Sequence, residues 1–150
     1  MDSILELARA LGPYAICGEG NVSVKDDDCF WVKASGTSLD TLEKKDLVAC
    51  KMSGVPFDSL GTKPSIETGF HAWLLREFDA IKFVAHTHPP RTMEVVCSEQ
   101  IHSFAEHRLF PDQVVRNGAK SCVVPYAMPG KPLLEKIKES VTAFIEEQGY

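Results

Sequence analysis

The sequence predicts an α/β fold in which helices cover an antiparallel or mixed sheet. Two observations predict it. Strand-like runs cluster early in the chain and mix with helical patterns, and no regular βαβ rhythm links them. A doubly wound parallel sheet would need that rhythm. Taken in order, residues 3–11 place Ile4, Leu7, Ala8 and Leu11 on one helical face, and Gly12-Pro13 stop it. The turn Cys17-Gly18-Glu19-Gly20-Asn21 follows. A hairpin is predicted from Val22-Ser23-Val24-Lys25 and Phe30-Trp31-Val32-Lys33, joined by Asp26-Asp27-Asp28. Residues 34–38 read as a loop and residues 46–52 as a strand, turned by Ser53-Gly54. The spacing predicts a helix over 64–78, opened by Pro64 or Ser65, with Ile66, Phe70, Trp73, Leu74 and Phe78 as its apolar stripe. Residues 81–88 form a strand that Pro89-Pro90 stops. A short helix over 92–97, a short buried strand over 121–125 and an amphipathic helix over 132–148 complete the chain.

Bulk properties narrow the function. A chain of 150 residues is expected to form one domain over residues 1–150. At 44% hydrophobic and 25% charged it has an ordinary globular balance. A net charge of −5 without a basic stripe argues against nucleic acid. No apolar run reaches membrane-spanning length, and no signal-peptide pattern opens the chain. The five cysteines, Cys17, Cys29, Cys50, Cys97 and Cys122, are scattered without CxxC spacing. Reduced thiols in a cytoplasmic protein are therefore expected.

The chemistry-bearing signal is His86-Thr87-His88 at the end of a strand. Side chains at i and i+2 of a strand share a face, so both imidazoles can converge on one divalent metal ion such as zinc. Three polar segments precede the pair. Gly20-Asn21 combines a permissive backbone with an amide that donates and accepts. Ser35-Gly36-Thr37 offers hydroxyls and an open backbone, and Pro64-Ser65-Ile66-Glu67 opens a helix, a ready phosphate site. Glu67, in the first turn of that helix, is a candidate acid/base residue beside a metal. His71, one turn on, is either its partner in a helical metal pair or a structural side chain, packed near Trp73 or bonded to backbone. The structural reading is preferred. His102 and His107 read as surface or loop residues.

The order Gly20-Asn21-Val22-Ser23-Val24-Lys25, Ala34-Ser35-Gly36-Thr37, Pro64-Ser65-Ile66-Glu67 with His71, then His86-Thr87-His88-Pro89 resembles the class II aldolase/adducin family. Pro125-Tyr126-Ala127-Met128-Pro129-Gly130 before a helix is similar to that family's late segment. The resemblance implies a three-layer α/β/α fold around a mostly antiparallel sheet, assembled as a homo-tetramer. It implies a zinc-dependent aldolase that cleaves a small phosphorylated keto-sugar through a zinc-stabilised enediolate. The family's phosphate site falls on Gly20, Asn21, Ser35, Gly36, Ser65 and Ile66, its catalytic carboxylate on Glu67, and two of its zinc histidines on His86 and His88.

The chain departs from the family in two places. The third zinc histidine, normally in an Asn-His-Gly-like context after the last helix, is not in the sequence, so the family's C-terminal part is expected to be short here. Ile66 stands where a second serine is common. Sibling sugar-phosphate epimerases and dehydratases share the scaffold, and a non-catalytic, adducin-like interaction role is the alternative of another class.

Overall fold

The computed structural model describes residues 2–16 and 19–149. Cys17 and Gly18 of the expected glycine-rich turn, and Tyr150, lie outside the described residues. The alternating run after that turn folds as a tight hairpin. Strands β1 (Asn21–Asp26) and β2 (Cys29–Lys33) are joined by Asp27 and Asp28. Asp27 takes φ 48°, a left-handed conformation that aspartate tolerates in a two-residue turn. Strand β3 (Leu47–Lys51) adds to β2, and β4 (Phe83–His86) adds to β1. The order is β3-β2-β1-β4, and every pairing is antiparallel.

Register sorts the side chains between two cores. Ser23, Val32, Val48 and Val84 lie in one cross-strand row. On that face Phe30, Val32, Val48, Cys50 and Val84 pack with Phe70, Ala72 and Leu75 of α2 (Thr68–Glu77). Leu133, Leu134 and Ile137 of α6 (Lys131–Gln148) close over them. On the other face Val22 packs with Ile4, Leu5 and Ala8 of α1 (Asp2–Leu11) and with Leu39, Leu42 and Leu47. The sheet is thus held between helices on both sides. Each fully buried side chain of Phe30 or Leu75 size contributes roughly 2 kcal/mol. No helix among the described residues is long and apolar enough to cross a membrane.

Four expectations are corrected. Helix α2 begins at Thr68, not at Pro64 or Ser65. Pro64 bridges Ala34, the Ser65 N–H donates to the Lys33 carbonyl, and the Ser35 N–H donates to the Lys63 carbonyl. Those sheet-like bonds hold residues 63–65 extended, so Ile66 leaves the apolar stripe and is 69% exposed. Residues 121–125 form no strand; the Ser121 N–H donates to the Ala105 carbonyl instead of joining a ladder. His88 lies two residues past the end of β4. After α3 (Pro90–Val96), two helices stand where the sequence showed only a polar stretch, α4 (Ile101–Glu106) and α5 (Pro111–Asn117).

Candidate functional site

Residues from three elements meet at one end of the sheet. Asn21 of β1 is the cross-strand partner of His86 of β4. Both lie on the face that carries Ser23 and Val84, which is the face that meets α2. The turn before α2 therefore brings Glu67 over them. Glu67 Oε2 accepts from Asn21 Nδ2 at 2.6 Å and contacts His86 Nδ1 at 2.7 Å. His86 and His88 converge as their spacing predicts, although only His86 is in the strand. Their Nε2 atoms are 3.0 Å apart, and the rings meet edge to face.

The second carboxylate was not anticipated. His88 Nδ1 lies 2.7 Å from Glu19 Oε2, so each histidine of the pair rests one ring nitrogen on a glutamate. Two carboxylates keep the Nδ1 protons in place and leave both Nε2 lone pairs facing each other. Two bare nitrogens so placed repel unless a proton on one of them or a cation lies between them. Two nitrogens on one tetrahedral ion, each ~2.05 Å away, are ~3.3 Å apart, close to the gap seen here. The two rings offer two nitrogens to one point, and among the described residues no group of three or more His, Cys, Asp or Glu side chains gathers that could hold a metal ion.

Gly20 has a specific task beside the pair. It takes φ 88°, and a Cβ there would fall 2.6 Å from the His86 carbonyl oxygen. The close approach expected of this glycine is thus to β4 backbone, and it sets Glu19 within reach of His88.

Gly20, Asn21, Ser35, Gly36, Ser65, Ile66, Glu67, His86 and His88 all line one cavity of about 360 Å³, together with Glu19, Lys33 and Pro129. The 63–65 pairing onto 33–35 is what sets Ser65 and Ile66 opposite Ser35 and Gly36. It also consumes donors: the Ser35 and Ser65 amides bond within the chain, and the Glu67 amide donates to Ser65 Oγ. The Gly36 and Ile66 amides have no partner among the described residues. The segments expected as an anion cradle at a helix N-terminus instead meet as two facing loops. His102 lies within α4 and His107 at its C-terminal end, both exposed and away from this cavity, as the surface reading expected.

Lys33 is the residue that the sequence reading overlooked. It is 4% exposed, and its ammonium donates to the Ala34 and Thr37 carbonyls. Burial pulls its pKa down, against the opposing charge of Asp46. A buried cation thus lies at the wall of this cavity. The available signal was its position directly before Ala34-Ser35-Gly36.

His71 is structural in placement, with partners other than those expected. It is fully buried, stacks on Phe70, and bonds the side chains of Asn21 and Ser23 rather than backbone. Burial pushes its pKa from 6.5 down to about 3, helped by His86 and opposed by Glu67. Burial also acts on Glu67, raising its pKa, but the bonds from His86 and Asn21 win, and the net shift is downward. The His71 shift fixes a pH dependence. Below about 6.5 the unfolded chain binds a proton that the folded chain refuses, so stability falls with pH down to about 3. Urea unfolding at pH 5 is expected to show roughly 2 kcal/mol less stability than at pH 7. A flat stability between those values would contradict a buried neutral His71.

The family described as Class II Aldolase and Adducin N-terminal domain matches residues 6–149. The chain is similar to the 3-oxo-tetronate 4-phosphate decarboxylase of Haemophilus influenzae, 30% identical over 130 residues, which is 86% of this chain and 60% of that protein. It is similar to the L-fuculose phosphate aldolase of Methanococcus maripaludis, 31% identical over 75 residues, covering 50% of this chain and 40% of that one. The crystal structure of YgbL from Escherichia coli superposes with a TM-score of 0.79 at 26% identity, covering 92% of this chain and 68% of that chain. The chain therefore spans about 60% of the length of the Haemophilus relative and less of the Methanococcus one.

Proposed function

Because the chain belongs to the class II aldolase and adducin family, we propose that it is a metal-dependent carbon–carbon lyase acting on a small phosphorylated keto-sugar. The observation that carries this reading is the facing pair of Nε2 atoms 3.0 Å apart, each ring backed by a glutamate. A divalent ion such as zinc, held by His86 and His88, would supply Lewis-acid stabilisation of the negative charge that develops when the bond breaks. Everything else falls to the chain's own residues. Asn21 and His86 hold Glu67 ionised, the state a base needs to take the hydroxyl proton as the carbon–carbon bond opens. Ser35 and Ser65 hydroxyls, the Gly36 and Ile66 amides and the Lys33 ammonium would hold the phosphate and so orient the reacting carbons. Ile66 contributes backbone where a second serine would add a hydroxyl. A homo-oligomer, tetrameric by family resemblance, belongs to this reading, as does a cytoplasmic site of action.

A second reading is favoured by one observation, the similarity over 86% of the chain to a 3-oxo-tetronate 4-phosphate decarboxylase. Loss of carbon dioxide from a phosphorylated 3-oxo acid develops the same negative charge beside a carbonyl, so the same cavity serves both reactions. The test is direct. The full chain is loaded with zinc, manganese or cobalt and given phosphorylated keto-sugars and phosphorylated 3-oxo acids. Aldehyde release supports the aldolase, and carbon dioxide release supports the decarboxylase. No turnover of either class with any of the three metals overturns both and leaves the adducin-like interaction role.

A further inference from the structure

We infer that Ser23 and His71 are positioning residues that lock the Asn21 side-chain amide with its NH2 toward Glu67, and so hold that carboxylate aimed into the cavity. The inference rests on the lyase reading of Glu67 for its purpose, but not for its geometry.

The geometry permits one arrangement of hydrogens. A carboxylate accepts and does not donate, so the Asn21 atom at 2.6 Å from Glu67 Oε2 is the amide nitrogen. The amide oxygen then faces His71 Nε2, which must carry the proton and donate. A neutral imidazole with a proton on Nε2 has a bare Nδ1, so the Ser23 hydroxyl 2.7 Å away donates to it. Donation thus runs one way, from Ser23 to His71 to Asn21 to Glu67. Among the described residues no buried side-chain nitrogen or oxygen lacks a partner, so the chain of bonds is complete.

Reversing any link would bring two acceptors or two donors face to face in a buried setting. Ser23 and His71 are both fully buried and Asn21 is 3% exposed, so water does not substitute for a lost partner. The elements explain why these residues meet. Asn21 and Ser23 are two apart on β1 and share a face, and His71 lies one turn after Glu67, so helix and strand present matching pairs. The pairing of Ser23 with Val84 and of Asn21 with His86 keeps that face in register with the histidine strand.

Two measurements on the full chain test this. The first is imidazole nitrogen NMR of His71, with the side-chain amide signals of Asn21. Protonated Nε2, bare Nδ1 and slowly exchanging Asn21 amide protons are expected; a proton on Nδ1 overturns the inference. This readout needs no substrate, so it decides the positioning even if no lyase activity exists. The second compares kcat and KM in Ser23→Ala, His71→Gln and His71→Leu. Loss of a supporting hydrogen-bond partner of this kind lowers activity by about 10–100-fold. His71→Leu is expected to lower kcat within that range with KM little changed. His71→Gln, whose amide nitrogen reaches the same point as the ring Nε2, is expected to recover most of it. Ser23→Ala is small enough to fold, and is expected to keep the Nε2-protonated tautomer, which Glu67 dictates through Asn21, and to lower kcat about tenfold. Equal kcat in His71→Leu and His71→Gln, or an unchanged kcat in Ser23→Ala, overturns the inference.

Discussion

Replacing His86 and His88 together by alanine is expected to weaken divalent-metal binding by roughly 100-fold or more while the fold survives. The two rings supply the two nitrogens of the site, and their Nε2 atoms face each other across 3.0 Å. Neither is a core residue; their side chains are 29% and 26% exposed. What they leave behind is also tolerable. Glu67 keeps its bond from Asn21, and Glu19 is open to solvent. Elemental analysis after metal loading and dialysis, beside a far-UV circular dichroism spectrum, checks both halves. Unchanged metal content with an intact fold would mean that the metal, if any, binds elsewhere. Glu19→Gln would show a smaller version of the same loss, because it removes the charge behind one ring and leaves the ring in place.

Glu67→Gln is expected to lower the lyase kcat by about 10²–10⁴-fold with metal content nearly unchanged. The substitution is isosteric. A glutamine oxygen still accepts from Asn21 Nδ2 and His86 Nδ1, so the local bonds that hold the turn before α2 persist. What disappears is the ability to take up and return a proton. Kinetics on the metal-loaded variant, with its thermal midpoint measured alongside, separate chemistry from structure. If the variant unfolds or loses its metal, Glu67 holds the site together rather than moving a proton.

Much of this was readable from local pattern because it depends on local geometry. The period-two alternation of 22–25 and 30–33 specifies the hairpin, and the proline pair after His88 specifies the end of the histidine strand. The i, i+2 spacing of His86 and His88 predicted convergence, and the rings meet even though His88 lies past the end of β4. All of the anticipated site residues line one cavity; most sit beside a glycine, a proline or a strand end that the sequence marks, and Ile66 and Glu67 follow Pro64 by two and three residues.

Other features required the folded chain. Whether Pro64 and Ser65 open a helix depended on hydrogen bonds to Lys33 and Ser35, thirty residues away in sequence, and the ladder contact outweighed helix propensity. The valines at 123 and 124 have strand character, but a strand needs a neighbour to bond, and none pairs with them here. Lys33 reads as an exposed strand-end cation; only the curl of residues 34–37 over it, which turns two carbonyls onto its ammonium, buries it. His71 could have been a metal ligand or a structural side chain by spacing alone. Its choice was made by β1, which set Asn21 and Ser23 against both ring nitrogens before any ligand could reach them. The sequence by itself thus determined the hairpin, the histidine pair and the residue types of the site. The tertiary structure decided which polar groups are spent on each other and which remain for a ligand, because hydrogen-bond partners distant in sequence leave no periodic trace.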